Sequence, residues 1–370
     1  MRYSFTLGAA AFAFATAAPV TSPSNSSIWV TEVPTSVRPY AIQHYLAGGC
    51  VVGQQIYRFP VTGPSSDYAF SLIQTNAPGS TALGVLPHLH EVHYENFFNF
   101  RGRFQLWTDK YDDQNTRVLL PGDYGAVPHN TTHTFQILDP DTEMLGVIQP
   151  GGFENLFYAL SSGNYSSTTL SPYDPSANAS SDSAAGPSAS LIATLEGFDV
   201  YAQPDFSPRY DAINGTAPSN TTWHTGSNAL ATDAYTPYFV AKDYGPKYLN
   251  SQNGYQVIQP FVTATQSASN FTLSTITTDR VSSNTTVPTR TFVGHAAFEV
   301  LEGQLQVEML GEKLSLLQGD VVFIPRNTSY IYYSEVAYTK FMHVGQGGEG
   351  LDSALIAAGE SWDSPVWPTS

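Results

Sequence analysis

His88-Leu89-His90-Glu91-Val92-His93-Tyr94-Glu95-Asn96-Phe97-Phe98-Asn99-Phe100-Arg101-Gly102 is the stretch that decides the architecture of this 370-residue chain. On an extended strand, residues i and i+2 project to the same side, so His88 and His90 both turn an imidazole to one face. Glu95 lies five positions beyond His90, an odd interval that would put it on the opposite face of an uninterrupted strand. A turn near Glu91 to His93 is therefore expected, with Glu95 returning beside the two imidazoles on the neighbouring strand. Downstream, Gly122-Asp123-Tyr124-Gly125-Ala126-Val127-Pro128-His129-Asn130-Thr131-Thr132-His133 reads as a Gly-Asp turn and a proline-marked hairpin that carries His133 inward. Three imidazoles and one carboxylate form a donor set suited to copper, iron, manganese, nickel or zinc. His93 and His129 read as turn or rim residues. His44, His224 and His343 stand alone, and the run Asp109 to Asn115 reads as a solvated loop.

Outward from this stretch the chain repeats itself. Phe70-Ser71-Leu72 faces Phe271-Thr272-Leu273, and Gly102 faces Gly303, both at an offset of 201; Gly122-Asp123 faces Gly319-Asp320 and Pro128 faces Pro325 at 197. Short aromatic and β-branched runs between Gly and Pro turns fill both halves, which predicts an all-β protein made by duplication of one β-domain. Residues from about Ser161 to Ser190 are rich in Ser, Ala, Asn, Gly and Pro and read as linker, with structure resuming at Leu191 to Tyr201. The expected organisation is a leader over 1–17, a metal-binding domain over 18–160, a partly ordered linker over 161–230 and a second domain over 231–370. The repeat maps His88, His90, Glu95 and His133 onto Thr289, Thr291, Ala296 and Tyr330, so the second domain is expected to be free of metal.

Composition narrows the function. A net charge of −16 with 15 Lys and Arg argues against nucleic-acid binding and against binding to anionic membranes. With one cysteine, Cys50, no intrachain disulfide or Cys-based zinc site can form, and Cys50 reads as a small buried hydrophobe. Arg2, the apolar run Leu7 to Phe14 and Ala15-Thr16-Ala17 together read as a secretory signal peptide, so the chain is expected to be extracellular. Asn-x-Ser/Thr sequons at Asn25, Asn164, Asn178, Asn214, Asn220, Asn270 and Asn284 are candidate glycosylation sites; those at Asn130 and Asn327 complete the set.

The spacing His88-x-His90-x4-Glu95-x6-Gly102, followed by Gly122-x5-Pro128-x4-His133, resembles the two cupin motifs, and the duplication resembles a bicupin, two jelly-roll-like barrels joined by a linker. Longer matches, among them Arg38-Pro39-Tyr40, Gly84-Val85-Leu86-Pro87-His88, Pro140-Asp141-Thr142-Glu143-Met144, Pro150-Gly151-Gly152-Phe153 and Gly245-Pro246-Lys247-Tyr248, resemble the secreted fungal quercetin 2,3-dioxygenase family. Ala82, Asn130 and Ile137 depart from the general motifs at positions that shape turns and packing. The resemblance implies one copper per chain, held in the N-terminal domain by His88, His90, Glu95 and His133. It implies that Glu95 removes the 3-hydroxyl proton of a flavonol, whose heterocyclic ring O2 then cleaves with release of carbon monoxide and a depside. It also implies a pocket lined by Tyr57, Ile73, Thr75, Val85, Phe97, Phe135, Met144, Gly146 and Ile148, and it allows a homodimer. Two alternatives stand beside it: an oxalate oxidase or decarboxylase, which needs a polar carboxylate clamp that the apolar surroundings do not offer, and a non-catalytic bicupin, which needs no intact donor set.

Overall fold

The computed structural model describes residues 28–166, 189–282 and 284–368. The expected leader over 1–17 and the sequons at Asn25 and Asn178 lie outside them. Among the described residues no helix is long and apolar enough to cross a membrane.

Strands built from Thr, Ile, Val, Phe and Tyr form two double-sheet barrels, as their β-branched and aromatic content dictates. In the first, an eight-stranded sheet carries Gln55–Val61, Ser71–Ala77, Thr142–Gln149, Tyr94–Arg101 and Tyr124–Val127 side by side. A six-stranded sheet facing it carries His88–Leu89, Thr132–Ile137, Phe104–Lys110 and Asp113–Leu119 in that order. The second barrel repeats the plan with a nine-stranded and a three-stranded sheet. The repeat landmarks are backbone requirements: Gly102 and Gly303 sit at φ 66° and 78°, Gly122 and Gly319 at 96° and 83°, turn conformations that glycine adopts without strain.

The large sheet of the first barrel is buried on both faces, and its strands carry buried polar residues such as Gln74, Asn76, Asn96, Asn99 and Glu143 among the apolar ones. Ile73, Phe97, Met144, Gly146 and Ile148 point inward to a cavity. Their alternates Leu72, Phe98, Leu145 and Val147 join a core cluster with Phe261, Phe271, Leu273, Phe323, Met342 and Val344 of the second half. The ring of Tyr124 stacks on Phe261 with centroids 4.7 Å apart, and Tyr94 meets Phe271 edge-on at 5.3 Å.

Two strands cross between the barrels, so the pairing does not follow the boundaries drawn at 160 and 231. Tyr40–Ile42 pairs with Val321–Phe323 of the second barrel, and Tyr238–Val240 pairs with Tyr124–Ala126 of the first. The exchange is reciprocal: Tyr40 donates its hydroxyl to Pro60 O at 2.8 Å and Tyr238 donates to Phe261 O at 2.5 Å. The expected linker also supplies strands, since Tyr201–Ala202 pairs with His88–Leu89 and Thr216–Ala217 with Thr116–Arg117. The run Asp109 to Asn115 is the tip of a hairpin, with Tyr111 89% exposed, and Cys50 is buried in a small apolar cluster.

Where the barrels meet, Glu299 occupies the place that Phe98 holds in the first repeat. It accepts a hydrogen bond from Gln74 Nε2 at 2.9 Å, while its second oxygen has no partner. Burial pushes its carboxyl well above the usual range, opposed by the Gln74 bond and reinforced by Glu143 and Asp320. A carboxyl raised on folding holds its proton in the native state after the unfolded chain has lost it. Its contribution is therefore complete below the unfolded pKa and declines by about 1.4 kcal/mol per pH unit above it, until the folded group ionises. Glu299→Gln removes that decline. The variant is expected to match the parent near pH 4 and to exceed it in chemical denaturation at pH 7; equal stability at both pH values would exclude a neutral Glu299.

Candidate metal centre

His88 and His133 lie directly opposite each other on paired strands of the small sheet, with ring centroids 4.2 Å apart. His90 stands in the turn that follows His88, its ring 4.8 Å from His88 and 5.4 Å from His133. Glu95 is the second residue of Tyr94–Arg101. That strand belongs to the facing large sheet, not to a neighbour of His88–Leu89 as the interval argument supposed, because the carboxylate meets the imidazoles across the barrel interior. The segment leading to His133 is likewise an arch between sheets rather than a hairpin: Tyr124–Val127 pairs with Tyr94–Arg101, whereas Thr132–Ile137 pairs with His88–Leu89 and Phe104–Lys110.

All four side chains are buried, and one ligand-type atom from each lies within 4.8 Å of the others. The Nδ1 atoms of His88, His90 and His133 face the backbone carbonyls of Leu86, Asp199 and Thr131 at 2.6, 2.6 and 3.1 Å. A carbonyl only accepts, so each Nδ1 carries the hydrogen and each neutral ring presents its Nε2 lone pair inward. His90 Nε2 is buried with no hydrogen-bond partner. His133 Nε2 stands 2.8 Å from Glu95 Oε2. A lone pair and a carboxylate oxygen at that distance repel unless a positive charge joins them. The donors therefore fit a resident cation.

Electrostatics agree with that fit. Burial, with His133 and His90 beside it, holds the His88 imidazole well below its ordinary pKa and thus neutral. Burial alone would raise the Glu95 carboxyl. The neighbouring His90 and His133 rings outweigh it and keep Glu95 well below the carboxylate range. For His90 burial is outweighed by Glu95 and the pKa rises, so Glu95 draws positive charge to His90, a place that a bound cation would take over from a proton.

The centre opens onto a cavity of about 760 Å³. Tyr57, Ile73, Thr75, Val85, Phe97, Phe135, Met144, Gly146 and Ile148 all line it, as do His88, Glu95 and His133. The Tyr57 hydroxyl, pushed up by burial and then by Glu95, stays protonated and donates to Gln55 Oε1 at 2.9 Å. The sequence reading missed Gln55 and a whole wall: Phe153, Leu156, Phe157 and Leu160 around the helix Glu154–Leu160, and Leu195 and Val200 from the inter-barrel segment. Apolar residues at 153, 156, 157 and 160 carry the spacing of one helical face, a signal that was available.

In the second barrel the matching interior is filled. Ala296, Phe298, Val307, Leu314, Tyr330, Tyr332 and Phe341 form a core cluster, and Thr291 lies outside it, bonded to Ser329. Among the described residues the converging ligand-type groups are His88, His90, Glu95 and His133, and the adjoining His90, His93 and Asp199. Titration with a divalent transition metal is therefore expected to reach one equivalent per chain, and His88→Ala with His133→Ala to abolish it. Two equivalents by elemental analysis, or retention by the double variant, would overturn this.

Comparison with known proteins gives three kinds of match. The family model for ethanolamine utilisation protein EutQ matches residues 293–348. A quercetin 2,3-dioxygenase of Aspergillus japonicus is 55% identical over 348 residues, covering 93% of this chain and 99% of that one. A quercetin 2,3-dioxygenase of Bacillus subtilis is 31% identical over 131 residues, 35% of this chain and 37% of its own. Among solved structures, a mutant oxalate decarboxylase of Bacillus subtilis superposes with a TM-score of 0.50 at 15% identity, covering 86% of this chain and 80% of that one, a likeness of fold alone.

Proposed function

The chain belongs to the quercetin 2,3-dioxygenase family, and from that premise we propose that it cleaves the heterocyclic ring of flavonols with O2 at a copper held by His88, His90, Glu95 and His133. The enzyme is a dioxygenase acting on a small molecule. The observation that carries the reading is the convergence of the four donors at one side of a large cavity whose other walls are mostly apolar, a shape suited to a flat aromatic substrate. Copper, when bound, supplies a Lewis acid and a one-electron partner for the substrate's oxygen. The chain's own residues supply the rest. Phe97, Phe135 and Met144 enclose the rings and exclude water. Glu95, ionised and buried, accepts the proton of the 3-hydroxyl, and Tyr57 offers a polar contact near that carboxylate.

An oxalate-type reaction would need a cationic or polar carboxylate clamp, and among the described residues the cavity lining is mostly apolar and contains no Lys or Arg. Incubation with quercetin in air is expected to release carbon monoxide and a depside. Formation of neither by the copper-loaded chain would reject the proposal.

Export and glycosylation belong to the same reading. The described sequon asparagines Asn130, Asn164, Asn214, Asn220, Asn270, Asn284 and Asn327 are all exposed, which supports access for glycan transfer. Endoglycosidase treatment of the secreted protein, followed by mass measurement, tests this.

A further inference from the structure

His88 and His133 take their orienting carbonyls from Leu86 and Thr131, two residues away in sequence. His90 takes its own from Asp199, 109 residues away in the inter-barrel segment, at 2.6 Å. The Asp199 carboxylate then accepts three successive backbone N–H groups, those of Glu91, Val92 and His93, each at 2.9 Å, and His93 Nδ1 at 2.8 Å. These residues are the turn that separates His90 from Glu95, and Glu91 and Val92 are exposed with no strand partner. Asp199 itself is in the left-handed region at φ 63°. It is anchored on both sides by Leu195 and Val200, which are buried in the cavity wall.

We propose that Asp199 is a positioning residue for the metal centre: docking of the inter-barrel segment aims His90 Nε2 and fixes the turn that sets the spacing of His90 and Glu95. The His90, His93 and Asp199 cluster is then a clamp and not a second metal site, because Asp199 and His93 Nδ1 already satisfy each other. The clamp rests on the reading that the four donors hold the metal.

The test uses the full metal-free chain and Cu2+ alone. Asp199→Gly keeps the left-handed backbone and removes the carboxylate; Asp199→Asn keeps one acceptor oxygen. Cu2+ dissociation constants by competition with a chelator, copper EPR spectra and metal-free melting temperatures are measured together, with His88→Ala alongside. Both variants keep the backbone carbonyl that orients His90 and alter only the carboxylate that holds the turn; loss of such an outer partner typically weakens metal binding about 10- to 100-fold, which is expected for Asp199→Gly, with a smaller loss for Asp199→Asn. The EPR parameters shift in both variants, and the loss of copper affinity exceeds what any fall in the metal-free melting temperature accounts for. A purely structural residue would instead leave affinity and spectrum as they were, whatever happens to the metal-free melting temperature. Parental affinity and spectrum in Asp199→Gly overturn the clamp. Should that variant not fold, the same result in Asp199→Asn overturns it. If His88→Ala binds Cu2+ as the parent does, the reading of the four donors has failed, and the clamp falls with it.

Discussion

Glu95→Gln is expected to lower flavonol turnover by about 10²- to 10⁴-fold, the range that a positioned general base contributes. The amide is nearly isosteric with the carboxylate and still offers a carbonyl oxygen to a metal, so copper content is expected to fall much less than turnover. An amide does not take up a proton at neutral pH. The variant therefore depends on substrate that is already ionised in solution, and its turnover rises with pH as free flavonolate accumulates. The parent, whose Glu95 is held ionised by His90 and His133, gains far less over the same range. Copper content, turnover and pH dependence belong in one preparation. Near-normal turnover of Glu95→Gln at neutral pH would remove Glu95 as the base.

Gly146→Val is expected to lower kcat/KM for flavonols by about 10- to 100-fold, corresponding to the roughly 1–3 kcal/mol of overpacking in a filled site. The comparison between barrels motivates it. Gly146 pairs with Ile73 and Phe97; at the same place in the second barrel His343 pairs with Ser274 and Phe298 and is fully buried. A ring therefore stands in one barrel where the other has open space. A Cβ on Gly146 would meet Ile73 Cβ at 3.6 Å, an ordinary contact, and its backbone is extended, so valine fits the strand while its methyls enter the cavity. The loss is expected mainly in KM, with copper content and melting temperature near the parent's. Unchanged kinetics would mean that the substrate does not reach this wall.

Much of this was legible in the sequence because the signals are local. His88, His90, Glu95 and His133 fall within 46 residues, and the repeat is marked by glycines whose φ values only a turn requires. The pocket residues came from the resemblance, and all of them except Val85 sit on strands, where alternation fixes the facing side. What stayed hidden is non-local. Nothing in the spacing of His90 points to Asp199, and the resumption of structure at Leu191 to Tyr201 does not reveal that Leu195 and Val200 close the cavity. The facing-sheet position of Glu95 was hidden for the same reason: periodicity gives the side on which a residue points, not the sheet that carries it. Glu299 also broke the pattern, as a carboxyl on a strand otherwise shared with Phe298 and Val300.

The reciprocal exchange of Tyr40–Ile42 and Tyr238–Val240 bears on how the chain is made and what can be cut from it. During synthesis the large sheet of the first barrel lacks its edge strand until residue 240 has left the ribosome, so the metal-binding half matures only with the start of the second half. A gene for either half alone would encode a product with an open edge, at Tyr124–Val127 or at Val321–Ile324, beside an uncovered face of Phe98, Leu145, Phe261 and Phe323. Such an edge is a template for aggregation. The second half, which has Thr289, Thr291, Ala296 and Tyr330 where the first has its metal-type donors, is thus needed by the first for its sheet edge and not for its chemistry.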